Sequence, residues 1–174
     1  MEMVQGLYAS GIESIRSLLK RLTFETTIPA TDRQARLYSI LFQQHFLRWL
    51  SGRGHPKLLM REGAITAELY KKEKGNAVTR TLLFIRAATE YKTTRLPDEL
   101  KLRITIRYPR SYEASNQPRG IIHVCDQQLE VMLNPAMKEM LHMTRSFDDE
   151  TYCSRFDAWL HKLLLLDRSD FNIA

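Results

Sequence analysis

The residues in this chain best suited to binding chemistry fall on one short run. Lys101, Arg103, Thr105 and Arg107 alternate with Leu100, Leu102, Ile104, Ile106 and Tyr108. That period of two predicts a strand with a greasy face and a basic face, ended by Pro109. Arginine can hold guanine O6 and N7 with two parallel hydrogen bonds, and threonine offers a hydroxyl or a methyl to a base edge. Alternate side chains stand on one face of a strand, so several reach a groove together. Arg110 and Arg119 flank the run and are suited to phosphates. The candidate DNA-binding residues are therefore Lys101, Arg103, Thr105, Arg107, Arg110 and Arg119. The same pattern also fits an ordinary half-exposed strand whose arginines meet only solvent. The run by itself leaves both readings open.

Other chemistries have less to stand on. His123 and Cys125 are two apart, with His142, Cys153 and His161 downstream. A zinc site needs four ligands in recognisable pairs, and no CxxC, HxxxH or CxxxH pair occurs. Buried thiols and a strand histidine are the expectation, with no metal. Asp157 and His161, four apart on a helix, read as a surface pair rather than half of a catalytic couple. There is no Walker loop, no G-x-G-x-x-G and no G-x-S-x-G. We expect neither enzymatic activity nor a cofactor.

Charge agrees with an anionic partner. The chain of 174 residues carries a net +6, unevenly spread. Residues 126–174 hold five Lys/Arg against nine Asp/Glu, whereas residues 1–125 hold 21 against 11. An excess of that size in the first part favours nucleic acid, although a solvated basic surface is the plainer account. No apolar run approaches the roughly 18 residues of a membrane helix. The start, MEMVQGLYAS, lacks a basic segment followed by an apolar one. Cys125 and Cys153 make no disulfide framework. These features predict a cytoplasmic protein.

Several elements must position the basic strand. Val4, Leu7, Ile15, Leu18 and Leu22 predict a helix over 3–22, with a connector at 26–30. Thr31 or Asp32 caps a second helix, whose stripe of Leu37, Ile40, Leu41, Leu47 and Leu50 is widened by Phe42, Phe46 and Trp49. So broad an apolar face is core first and subunit interface second. SGRGHP at 51–56 is a break. Helices are expected over 57–74, closing at Gly75, and from Val78 to about Thr93, with Arg80, Arg86 and Lys92 on the exposed side. PRSYEASNQPRG is a polar loop, long enough to suggest a role in function. Ile121, Ile122 and Val124 form a second strand, turned back at Asp126-Gln127.

The stretch 128–166 then reads as strand, helix, turn, helix. Leu129, Val131 and Leu133 alternate with Gln128, Glu130 and Met132, and Asn134-Pro135 starts a helix carrying Met137, Met140 and Leu141. Asp148 and Asp149 are placed to cap the next, which carries Tyr152, Phe156, Trp159, Leu160 and Leu163. A lone strand and two short helices cannot bury such faces, and a second copy satisfies them most simply. In order and lengths this quarter of the chain resembles the ribbon-helix-helix DNA-binding regulators, and among them the AcaB-like regulators of conjugative plasmids and integrative elements. The resemblance implies a homodimer that controls transfer genes by placing strand side chains in the major groove.

The charges are arranged against a direct transfer of that scheme. The strand leading into the helices offers Gln128, Glu130 and Met132, and the second helix start offers Asp148, Asp149 and Glu150 where the family holds a phosphate. Either a long insertion separates the ribbon strand at 100–108 from its helices, or 128–166 chiefly dimerises while upstream residues hold DNA. The sequence thus predicts an α+β, mainly helical protein: a helical part over 1–95, and over 96–174 short antiparallel strands with a ribbon-helix-helix-like end. Its expected partners are double-stranded DNA and a second copy of itself. An oligomeric interaction or scaffold protein with a basic surface for an acidic partner is the alternative. Structured RNA comes third, since only Tyr108 and Tyr112 lie near enough for stacking.

Overall fold

The computed structural model describes residues 15–54, 60, 65–73, 75–89, 91, 96–113, 115–142 and 154–166. Among the described residues there are four strands: β1 (Leu22–Thr26), β2 (Leu102–Arg107), β3 (Arg119–His123) and β4 (Gln128–Met132). The helices described in full accompany them: α1 (Arg33–Leu50), α2 (Ala67–Glu73), α3 (Ala77–Ala88), α4 (Pro135–His142) and α5 (Arg155–Leu166). A short 3-10 turn covers Ser111–Glu113. The sheet order is β1-β2-β4-β3. β1 runs parallel to β2 and β2 parallel to β4, and only β3 is antiparallel to its neighbour.

This mixed, mostly parallel sheet overturns the expected arrangement of antiparallel strands with a ribbon-helix-helix-like end. The edges of β4 that called for a second copy are filled within the chain, by β2 on one side and β3 on the other. Periodicity tells which residues share a face, but not which strand lies alongside. One strand was also missed. Leu22, read as the end of a helix, opens β1, where Leu22-Thr23-Phe24-Glu25-Thr26 pairs in register with 102–106. Its alternation and its two threonines were a short-range strand signal, outweighed by the helical stripe before it. Residues 15–19 are helical, and the rest of the expected first helix lies outside the described residues.

The hairpin from β3 to β4 turns at Asp126-Gln127 as expected, but Val124, read as strand, belongs to the turn, which covers 124–127 with Gln127 at a positive φ of 53°. The helix starts follow from their caps. The Asp32 side chain accepts from the Ala35 amide at 2.9 Å, Asn76 from Thr79 at 3.1 Å and Asn134 from Met137 at 2.8 Å. At α5 the cap is Ser154, whose Oγ accepts from the Asp157 amide while Asp157 Oδ2 accepts from the Ser154 amide. That is a reciprocal capping box. The expected caps, Asp148 and Asp149, lie outside the described residues. Of the helix expected over 57–74, residues 60 and 65–73 are described: 67–73 form α2, whereas Ile65 and Thr66 are not helical. The next helix, α3, stops at Ala88.

The even-numbered residues of β2 and the odd-numbered residues of β4 point into one core. Leu102, Ile104, Ile106, Leu129 and Val131 meet Phe42, Phe46 and Trp49 of α1, Phe84 of α3, Met137 of α4 and Phe156 of α5. Phe46 makes edge contacts with Phe24 of β1 and Phe84. These helices thus cover one side of the sheet. Gly120 of β3 lies so close to α5 that a Cβ there would come within 2.8 Å of Leu163 and 3.2 Å of Trp159.

Candidate nucleic-acid interface

The opposite face of the sheet carries the basic strand. β2 turns Arg103, Thr105 and Arg107 toward it, and the register aligns them with Thr23 and Glu25 on β1 and with Gln128, Glu130 and Met132 on β4. On β3 the same face receives Arg119, Ile121 and His123. None of these side chains belongs to the main hydrophobic core. The alternation read from sequence therefore placed the charged residues on the correct side.

Burial and pairing then divide the six candidates. Lys101 and Arg119 are exposed and Arg103 is half-buried, and among the described residues no ion pair engages them. Thr105 is only 8% exposed, too enclosed to offer its hydroxyl to a base. Arg107 is committed elsewhere. Its two terminal nitrogens donate to both Glu113 oxygens at 2.7 and 2.8 Å, and one also reaches Glu130 at 2.8 Å. These hydrogen bonds raise the Arg107 pKa above its ordinary value. The same fork, joined by the Arg110 amide, holds the Glu113 carboxyl at about 2. Charge-assisted bidentate pairs of this kind are among the stronger polar contacts.

The loop after β2 is built around that clamp. Glu113 sits on the 3-10 turn, Arg110 gives it a backbone amide at 2.8 Å, and the Asn134 side chain donates to the Ser115 and Gln117 carbonyls. The loop thus folds back over the end of the sheet, where Met132 is fully buried. Arg110 is exposed on it. The expectation of a functional loop gains a structural role instead: it fastens Arg107. Tyr108, the nearby candidate for stacking, donates its hydroxyl to Asp32, and Lys138 lies 5.4 Å above its ring. That hydrogen bond raises the Tyr108 pKa and lowers that of Asp32.

Position in the sheet matters as much as exposure. β2 is an interior strand. Four strands about 4.8 Å apart span more than the roughly 12 Å width of a major groove. The face can rest across a duplex and meet phosphates, whereas β2 cannot enter the groove as a two-stranded ribbon would.

Other expectations are corrected in the helical layer. Arg80, placed on an exposed side, is fully buried, donating to the carbonyls of Trp49, Arg53 and Gly54 at 2.9 to 3.0 Å with its guanidinium 5.0 Å from the Trp49 ring centre. Asp157 and His161, read as a surface pair, are both fully buried. Asp157 pairs with Arg48 at 2.7 Å and accepts from the Ser154 hydroxyl at 2.8 Å. Cys125, expected to be buried, is exposed. His45, also buried, has its pKa lowered because burial disfavours the charged ring. The sequence signal for this cluster was the Ser-x-x-Asp spacing at 154–157, which marks a cap. Nothing local marks Arg80 as interior. Among the described residues no group of three potential metal ligands occurs, and no helix is long and apolar enough to cross a membrane.

A scan against protein-family models and searches of curated proteins and of solved structures find no match to this chain.

Proposed function

We propose that this chain binds double-stranded DNA as a homodimeric transcriptional regulator of the cytoplasm; the strand-helix-helix order at its end keeps transfer genes of mobile elements as the proposed targets, although β4 pairs within the chain and not as a ribbon between two copies. The observation that supports it is the sheet face opposite the main core, where Lys101, Arg103 and Arg119 are exposed or half-exposed and outside any ion pair among the described residues. Affinity comes from phosphate neutralisation, which suits a broad face lying across the duplex. The phosphate contacts come from Arg103, Arg119 on the edge strand, and Lys101 and Arg110 at the strand ends, and sequence preference comes from the shape and deformability of the duplex laid across the face. Arg107 and Thr105 support the face from beneath.

A gel shift at two salt concentrations, with the DNA upstream of the protein's own gene and a random duplex as competitor, tests this. The expected result is a steep loss of affinity with salt and a preference for the specific duplex. Replacing Lys101, Arg103 and Arg119 together with Ala reduces the salt slope by about 2 to 3, one phosphate contact each. Binding that is unchanged by the triple replacement overturns the assignment.

A second reading, a non-enzymatic interaction protein whose basic face meets an acidic protein, is favoured by the Arg107 clamp. Glu113, Glu130 and the exposed Glu25 temper the positive charge of the face. No duplex affinity at low salt would leave that reading in place.

A further inference from the structure

The charges on the sheet face opposite the main core are sorted by row, not by strand. The register aligns Thr23, Arg103, Gln128 and His123 in one line across β1, β2, β4 and β3. Next along the strands comes a line of Glu25, Thr105, Glu130 and Ile121, and then one of Arg107, Met132 and Arg119. The first line carries no carboxylate, and each of its side chains is exposed or half-buried. The second carries two carboxylates and no cation: Glu25 is exposed, and Glu130 accepts from Arg107. In the third, Met132 is fully buried and Arg107 is held by Glu113 and Glu130, so this line offers Arg119 at the sheet edge.

We infer that duplex DNA lies on this face with one major groove astride the acidic line. One sugar-phosphate strand runs along Thr23, Arg103, Gln128 and His123, and the other is held at Arg119. This rests on the DNA reading above. It adds Gln128 and His123 to the phosphate contacts and gives Glu25 and Glu130 a place.

Repulsion excludes a course along β2. A phosphate strand on that course would pass from Arg103 over Thr105, with Glu25 on one side and Glu130 on the other. Carboxylates there repel it, and Arg107 beyond them is already neutralised. Along the first line it meets a guanidinium, an amide and an imidazole, each able to donate to phosphate oxygens. Thr23, whose hydroxyl is given to the Leu102 carbonyl, adds no charge. Four strands about 4.8 Å apart make that line about 14 Å long.

Spacing selects the groove. His123 and Arg119 lie at opposite ends of β3, which separates the first line from the third by about 13 Å. The major groove of B-DNA is about 12 Å wide and the minor groove about 6 Å. Only the major groove sets its two phosphate walls on both basic lines and leaves open groove above the acidic one. Glu25 and Glu130 then repel a phosphate that slides toward the middle, which fixes the position of the duplex. The narrow major groove of A-form RNA does not match this separation. Groove width varies with sequence, so the same geometry supplies the shape preference.

Gel shifts with the full chain and phosphate-ethylation interference on a B-form duplex test the inference. Thr23 and Glu25 are both exposed on β1 and flank β2 alike, so they separate the two courses. Thr23→Glu and His123→Glu are each expected to weaken binding at least about tenfold. Glu25→Gln changes it less than about threefold, since no phosphate lies beside it. Ethylation is expected to interfere at two groups of phosphates, one on each wall of a single major groove. Duplex RNA of the same sequence binds at least about tenfold more weakly. The ethylation map uses the unaltered chain and so decides the matter even where a variant folds poorly.

DNA bound by the unaltered chain and equally well by either Glu variant overturns the inference and leaves the DNA reading standing. So does a larger gain in Glu25→Gln, or ethylated phosphates that flank a minor groove or fall on one strand only. RNA bound as tightly as DNA overturns the choice of groove. No duplex bound by the unaltered chain at low salt overturns the DNA reading itself, and this inference with it.

Discussion

Two sets of arginines in this molecule differ in everything but type. Arg48 and Arg80 lie inside the helical layer, one against the Asp157 carboxylate and the other against three backbone carbonyls and the Trp49 ring. Arg103 and Arg119 stand on the open face of the sheet, outside any ion pair among the described residues. The first pair holds α1, α3 and α5 together across the break at 51–54. The second adds little to the fold. Arg107 belongs between them, on the open face by position but held like an interior residue by Glu113 and Glu130. Facing outward thus does not by itself make an arginine a binding residue; it must also lack a carboxylate.

Substitutions sharpen the contrast. Asp157→Ala should lower stability most, by about 3 to 5 kcal/mol, because it strips a buried guanidinium of its carboxylate. The same change removes the α5 cap. Urea unfolding measures it, and a loss under about 1 kcal/mol would mean the pair is not buried as described. Gly54→Ala comes next, at about 3 kcal/mol. Gly54 has φ +68°, and a Cβ there would sit 2.2 Å from the Asp157 carboxylate. By contrast, the triple replacement of Lys101, Arg103 and Arg119 should move stability by no more than about 0.5 kcal/mol. A larger loss in the same unfolding assay would mean that the open face is structural after all.

The Arg107 clamp gives the smallest effect and a sign. Glu113 titrates at about 2 in the folded chain against an ordinary 4.5. A depressed carboxyl stabilises the fold above its unfolded value and loses that contribution as pH falls from about 4.5 to about 2. The stability difference between the chain and its Glu113→Gln variant should therefore shrink over that window. His45, depressed from its ordinary 6.5 by burial, adds a loss in the same direction as the pH falls below that value. A difference between the two chains that stays constant down to pH 2 would show that Glu113 is not held by Arg107.

Some of this was open to reading in advance. The β2 pattern gave the correct face to Arg103 and Arg107, because side-chain alternation is a property of one strand. Asp32 and Asn134 were recognisable caps, because an N-cap bonds within its own first turn. The fate of Arg107 was hidden: Glu113 is six residues away through a loop, and Glu130 arrives only when β4 lies beside β2. The interior place of Arg80 was hidden for the same reason. Its partners are carbonyls released where α1 ends, 26 to 31 residues earlier.

By itself the sequence determined the faces of β2 and β4, the starts of α1 and α4, the β3–β4 turn, and the net basic charge. These depend on neighbours a few residues apart. The tertiary structure alone decided that β1 exists, that β4 finds both its partners within one chain, and which arginines remain exposed. Strand pairing and ion pairing join residues far apart in the chain, and many pairings satisfy the same local pattern. Only the assembled core, where each face must be covered once, selects among them.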